Sequence, residues 1–354
     1  MFSPFSLRIS PMERLFLINF EKDPDDLYIG FEPQWFDDAS YGTGLRIIAW
    51  RRDGYIDVYQ QPGLTREDAL DVAGKGLADT LERPMTDARF HVTSTGIDVA
   101  FAFEDKTGRA VEVEIIEKSR KPTRPFPLLA PVGSSSENPS FLPAYFMFQF
   151  DFVRRAHTRV SISINSRSHR ADPFPFPLNG SRVYYMRYSA DTFLVDWCPE
   201  QAESLEPLHE QEGAGGYGPN RTRYELSGDE ELPTIARIQA SHKHHTFVAE
   251  FSPAFPDISR IQDGTALQGK WTLGADPSAG RLQGVYSVRR SGDTVDITMT
   301  PSGGWEPQPK TTFLKFLFNA AKIFRQWPKT YRWTAQITLR DDAPPFMVSQ
   351  WSRI

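Results

Sequence analysis

Apolar and polar positions alternate with a period of two through most of the chain. Leu45, Ile47 and Ala49 alternate with Arg46, Ile48 and Trp50, and residues 55–59 return after the turn Asp53-Gly54. Ile97, Val99, Phe101 and Phe103 share one face. Asp105-Lys106-Thr107-Gly108 then turns the chain, and Val111, Val113 and Ile115 come back with Glu112 and Glu114 on the other side. Successive strand side chains point to opposite faces, and glycine enters the left-handed conformations of tight turns. Alternation around a glycine-bearing loop therefore predicts an antiparallel hairpin. Phe146, Phe148, Phe150 and Phe152 line another face, Val160, Ile162 and Ile164 alternate with serines, and Asn179-Gly180 precedes a strand at 183–188. Further on, Gln262-Asp263-Gly264 is a turn, 282–288 and 295–299 flank Ser291-Gly292-Asp293, and Tyr331, Trp333, Ala335, Ile337 and Leu339 form a late strand. No fixed-length repeat is present, which argues against a propeller or solenoid.

Two segments follow helical spacing instead. Thr65 caps a first turn with Glu67 and Asp68, and Leu70, Ala73, Leu77 and Leu81 follow, predicting a helix over 65–81 in which Gly74 and Gly76 each cost about 1 kcal/mol. Residues 311–326 carry a stripe of Phe313, Leu317, Ala320, Ala321 and Phe324, widened by Phe316, Phe318 and Ile323, and Pro328 stops the helix. From Pro199 onward, Glu200, Glu203, Glu206, Glu210 and Glu212 lead into Gly213-Ala214-Gly215-Gly216, a stretch with little to bury. The expected organisation is an N-terminal β domain over 1–200, an acidic and glycine-rich linker over 201–222, and a C-terminal β domain over 223–354 that carries the helix 311–326. The predicted fold class is all-β, mainly antiparallel, with two β-barrel or curved β-sandwich halves and a few helices.

Composition supports strands over helical bundles. Of 354 residues, 40% are hydrophobic and 13% aromatic, with 28 prolines. The net charge of −5 gives the whole chain no basic field for nucleic acid or anionic lipid, so nucleic acid is not an expected partner. A single cysteine, Cys198, excludes an intrachain disulfide and a cysteine-based zinc site. The apolar run 15–20 is too short for a signal sequence and no stretch reaches 18 apolar residues, so the expectation is a cytoplasmic chain with no membrane span.

Several motifs imitate chemistry without its context. Gly213, Gly215 and Gly218 spell G-x-G-x-x-G, but an acidic linker precedes them and Pro219 follows, where a dinucleotide site needs a strand and then a helix. Gly264, Gly269 and Lys270 spell G-x-x-x-x-G-K, yet Trp271 stands where a magnesium-binding hydroxyl belongs. His242-Lys243-His244-His245 is the sharpest polar cluster. On a strand, His242 and His244 share a face and either converge on a metal, act as an acid or base without one, or form an ordinary solvated face. The metal motif of cupins is only superficially similar, since Glu250 lies too far on, Ala236 replaces the leading glycine and no second histidine motif follows.

Four residues are the candidates for proton chemistry: Asp151, His169, His242 and His244. Alternation puts Asp151 opposite the phenylalanines. Facing inward it becomes a general acid through desolvation, and facing outward it is a surface charge. His169 precedes the aromatic loop Pro173-Phe174-Pro175-Phe176-Pro177, which either rims a pocket or simply ends a strand. The candidate ligand-binding residues are Tyr185 and Arg187, alternating on one strand, and Trp305, Trp327 and Tyr331 around the late helix, where the competing explanation is core packing.

The hairpins at 45–59 and 97–116, the strands at 144–164, the hairpins at 282–299 and the late helix followed by a strand together resemble the two-barrel lipocalin-like family of carotenoid hydratases and fungal Diels–Alderases. The resemblance is one of layout and carries over no catalytic residue. It implies a hydrophobic small-molecule ligand of isoprenoid, polyketide or aromatic type, and hydration, isomerisation or cyclisation without a cofactor. A non-catalytic carrier of the same kind of ligand is the alternative, separated from an enzyme by whether a buried titratable group faces the ligand. Carbohydrate binding or processing is a third reading, which predicts an open aromatic groove lined by paired carboxylates. Oligomeric state is not encoded in any of these features.

Overall fold

The alternating segments form strands whose turns sit where the glycines are. Gly42–Arg51 pairs antiparallel with Tyr55–Gln60 around Gly54, at φ +89°. Gly96–Glu104 pairs with Ala110–Glu117 around Gly108, at φ +81°. Asp105 organises that turn: its Oδ1 accepts the backbone N–H groups of Thr107 and Arg109 at 2.8 and 3.0 Å. A computed structural model describes residues 1–66, 76–119, 122–130, 142–178, 180–210, 216–217, 222–228, 233–306, 312–320 and 331–354. Over these residues the chain is all-β with predominantly antiparallel, curved sheets.

The chain divides into two compact units that interleave along the sequence. The first comprises Met1–Ser10, Leu128–Phe146 and Leu194–Ile354, and the second comprises Pro11–Pro127 and Met147–Phe193. In the first, an antiparallel meander runs through Thr234–His242, His245–Pro256, Ala266–Asp276, Arg281–Ser291, Thr294–Glu306, Tyr331–Thr338 and Phe346–Arg353. Gln201–Ser204 adds to its far edge by pairing with Phe346–Arg353, so the segment expected as a linker starts as a sheet strand. The core of this unit is aromatic: Phe5 lies 4.7 Å from Phe251 and 4.6 Å from Phe255 between ring centroids, with Trp197 and Trp333 also against it.

The second unit has two sheets. The larger runs through the 147–154 part of the strand Leu142–Arg154, then Val183–Ser189, Met12–Asn19, Tyr28–Asp38, Gly42–Arg51, Tyr55–Gln60, Gly76–Glu82. The smaller runs Arg167–Ser168, Thr158–Ile164, Ala110–Glu117, Gly96–Glu104, Thr86–Thr93. One face of each contributes to a shared core, in which Phe16 meets Phe90, Phe31 meets Phe101 and Tyr59 meets Phe103.

The helix expected over 65–81 is corrected. Residues 67–75 lie outside the described residues, but Leu77 and Leu81 belong to the strand Gly76–Glu82, which pairs in parallel with Tyr55–Gln60. Completing the sheet edge outweighs a helical spacing already weakened by two glycines. A Cβ at Gly76 would come within 2.9 Å of the Tyr55 ring, which is itself exposed. The late helix is described as Thr312–Ala320. Its Leu314 and Phe318 are buried, while Phe316 is 60% exposed.

Candidate active site on the larger sheet of the second unit

One face of the larger sheet builds the core, formed by Phe16, Ile18, Phe31, Leu45, Ile47, Met186 and Tyr188. Residues of the opposite parity form the other face, and strand register aligns them in rows. In one row Phe152 pairs with Arg187 and Arg187 with Leu17. Leu15↔Gln34 and Ile18↔Phe31 bracket Leu17 opposite Glu32, and Glu32 continues to Ile48 and Val58. In a neighbouring row Gln34 pairs with Arg46 and Arg46 with Gln60. In a third, Asn19 pairs with Gly30, Gly30 with Trp50, and Trp50 with Ile56.

This second face is also buried. Ile48, Ile56 and Val58 form an apolar cluster on it, and Glu32, Gln34, Arg46 and Gln60 are buried among them. Glu32 is 3% exposed. Loss of hydration raises its carboxyl from 4.5 to about 7, against the opposing effects of a hydrogen bond from Gln34, the charge of Arg187 and a hydrogen bond with Trp50. The Gln34 amide donates to Glu32 Oε1 at 2.9 Å. Arg187 is itself desolvated, which pulls its guanidinium below the ordinary value while Tyr185 and Glu32 oppose that shift. It donates to Asn19 Oδ1 at 3.1 Å and its guanidinium lies 4.8 Å from the Tyr185 ring centroid.

Tyr185, 41% exposed, stands at the rim. Phe174 stacks on it at 5.7 Å, and Phe176 and Phe152 lie 4.7 and 5.4 Å from Phe174. The proline-rich loop thus edges an aromatic rim that leads from an exposed tyrosine to a buried carboxyl beside an arginine. Such an arrangement can hold an apolar body against the rings, a polar oxygen at Arg187, and exchange a proton at Glu32 near neutral pH.

Of the sequence candidates, Tyr185 and Arg187 come together in this way. Asp151 lies elsewhere, on the core-side parity and opposite Tyr188. It is half-buried and burial raises its carboxyl, although its oxygens accept the backbone N–H groups of Phe152 at 2.8 Å and Arg124 at 3.1 Å. Close by, Glu117 Oε2 and the Tyr188 hydroxyl are buried with no hydrogen-bond partner among the described residues, while Glu117 Oε1 is held by Arg154. His169 is buried against Phe20, with Nδ1 2.8 Å from the Asp23 carbonyl oxygen, a contact that fixes the Asp23 loop.

The histidine cluster is corrected. His242 and His244 do not lie on one strand. Lys243, at φ +54°, turns the chain between Thr234–His242 and His245–Pro256, and His242 pairs with His245. A tight hairpin removes the i, i+2 geometry that made the pair a candidate. Tyr331 is buried in the first unit on a strand paired with Phe346–Arg353. Trp305 pairs with Leu282 one residue before the end of Thr294–Glu306, and Trp327 lies outside the described residues.

Gly269 of the G-x-x-x-x-G-K sequence is a packing residue: it pairs with Tyr286, whose ring occupies the place a Cβ would take, at 2.4 Å. Glu32 was not apparent from alternation, because a glutamate between Phe31 and Pro33 reads as a solvent-facing strand position. The signal that reveals it is on the neighbouring strand. Ile48 and Trp50 are large and apolar on the same face as Arg46, so both sides of that sheet are covered.

Set against known protein families, curated proteins and solved structures, the chain matches none.

Proposed function

We propose that the second unit binds a hydrophobic small molecule and isomerises it by proton transfer at Glu32. The observation that carries this reading is a buried carboxyl raised to about 7, on the same sheet face as a desolvated arginine and an aromatic rim. A carrier without chemistry has no need of an acid that loses its proton near neutrality, a state that costs stability at higher pH.

In the proposed step the Glu32 carboxylate takes a proton from a carbon adjacent to a carbonyl-type group, and the electron pair moves onto the oxygen held by Arg187. The same proton is then returned to another carbon of the conjugated system. Atoms and charge balance with no redox partner. Arg187 favours the developing oxyanion, and burial strengthens that interaction. Tyr185, Phe174 and Phe152 hold the apolar body. The layout-level resemblance to the two-barrel lipocalin-like family agrees with such a ligand.

Mass spectrometry of small molecules retained by the purified chain tests the reading. An apolar, oxygen-bearing compound present in the native protein and lost from Tyr185→Ala and Arg187→Ala supports it. Retention of the same compound by both variants, or a set of retained molecules that is polar throughout, contradicts it.

A further inference from the structure

The net charge of −5 conceals a local excess of the opposite sign. Lys118 and Arg124 lie in one short stretch and Arg154, Arg155, His157 and Arg159 in another, and no Asp or Glu occurs in 118–124 or 154–159. The fold of the second unit brings these stretches to one end. The Lys118 backbone N–H donates to the His157 carbonyl at 3.0 Å, and Arg154 donates to the carbonyls of Pro122 and Thr95 at 3.2 and 2.9 Å. The Arg155 backbone N–H donates to the Arg182 carbonyl at 2.9 Å, which adds a further cation. Ile116, Lys118, His157, Thr158 and Arg159 line a groove of about 490 Å³ there.

Among the described residues, carboxylates pair with only part of this charge. Arg154 pairs with Glu117 and Arg159 with Glu114. The side chains of Lys118, Arg124, Arg155 and Arg182 have no carboxylate partner among the described residues, and Arg155 instead lies over the Tyr184 ring at 5.6 Å. The same end carries projecting aromatics. The Phe174 backbone N–H donates to the Val183 carbonyl at 3.1 Å, tying the proline-rich loop beside Arg182. Phe176 of that loop is 42% exposed.

We infer that this end of the second unit docks on an anionic phospholipid surface. Clustered cations are drawn to phosphate-bearing headgroups, and an exposed phenylalanine on a proline-rich loop gains by entering the headgroup–acyl boundary. A nucleic-acid duplex would use the cations and leave Phe176 in water. A free phosphorylated metabolite would fill the groove and use neither Arg182 nor Phe176. The lipid surface is the partner that uses both features. It also sets the Tyr185 rim, two residues beyond Val183, near the phase in which apolar molecules dissolve.

Vesicle co-sedimentation of the full chain tests this, with phosphatidylcholine vesicles and with the same vesicles containing phosphatidylglycerol. The expected result is sedimentation with the anionic vesicles only, lost as salt is raised. Lys118→Glu combined with Arg182→Glu lowers partitioning by more than about tenfold, taking about fivefold per cation as the contribution at such a surface. Phe176→Ser lowers it severalfold and leaves the salt dependence in place. Circular dichroism confirms that each variant is folded, and Arg124→Glu with Arg155→Glu serves as a second charge-reversal pair if the first is not. Equal sedimentation with both kinds of vesicle, none with either, or binding insensitive to both charge-reversal pairs overturns the inference. So does binding to duplex DNA that competes fully with vesicles and ignores Phe176→Ser. The outcome is independent of Glu32: failed docking leaves the proposed proton transfer standing, and the converse also holds.

Discussion

The guanidinium of Arg187 lies 4.8 Å over the ring of Tyr185, two residues earlier on the same strand. Strand alternation alone puts the two side chains on one face, and the hydrogen bond to Asn19 fixes the arginine's direction. The cation beside Glu32 is therefore positioned by the sheet before any ligand arrives. That preorganisation makes the site a candidate for chemistry rather than a chance cluster of charges.

Glu32→Gln is expected to stabilise the protein at neutral and alkaline pH. In the folded chain the carboxyl is raised from 4.5 to about 7, so between those values the folded state holds a proton that the unfolded state has released. Stability falls as pH rises through that window and stays lower above it, by up to about 3 kcal/mol. Glutamine removes this loss. Urea denaturation should show the variant ahead of the native protein at pH 8 and level with it at pH 4.

Arg187→Ala removes the positive charge that opposes the raised carboxyl of Glu32. The expected outcome is a Glu32 midpoint higher still, by on the order of one unit, with Arg187→Lys between the two. A pH titration followed by carboxyl NMR reads this directly. An unchanged midpoint means the two groups are not electrostatically coupled.

Gly269→Ala tests the packing of the first unit. Its Cβ would meet Tyr286 at 2.4 Å, and Tyr286 cannot swing aside freely because its hydroxyl donates to the Pro253 carbonyl at 2.7 Å. The substitution should cost about 1–3 kcal/mol. In a Tyr286→Leu background most of that cost should vanish, giving a non-additive double-mutant cycle by urea denaturation.

Phe318 and Phe316 should separate cleanly. Phe318 is buried and Phe316 is 60% exposed. Phe318→Ala is expected to cost about 3 kcal/mol or more, while Phe316→Ala stays within about 0.5 kcal/mol. Thermal denaturation of the two variants side by side measures the difference.

The sheets were legible in the sequence wherever alternation met a glycine turn. The residues around Gly54, Gly108 and Gly292 formed the expected hairpins because local and long-range preferences agree there. Leu77 and Leu81 misled because their spacing fits a helix face, whereas in the strand a register shift between them sets Leu77 against Ile56 and Val58 and Leu81 on the opposite face with the core. The choice between the two was made by the unpaired edge of Tyr55–Gln60, which is far from them in sequence. Half of the site was legible for the same reason: Tyr185 and Arg187 alternate on one strand. Glu32 was not, since its burial depends on the register of three strands. The histidines failed as a pair because Lys243 adopts a turn conformation that no hydrophobic period encodes.

The central claim is that Glu32 exchanges its proton near neutral pH. Carbon-13 NMR of the glutamate side-chain carboxyls, with Glu32 assigned from its loss in Glu32→Gln, measures that most directly across a pH titration. The predicted result is a resonance with a midpoint near pH 7. A Glu32 midpoint in the ordinary carboxylate range, at about 4 to 5, would contradict the account.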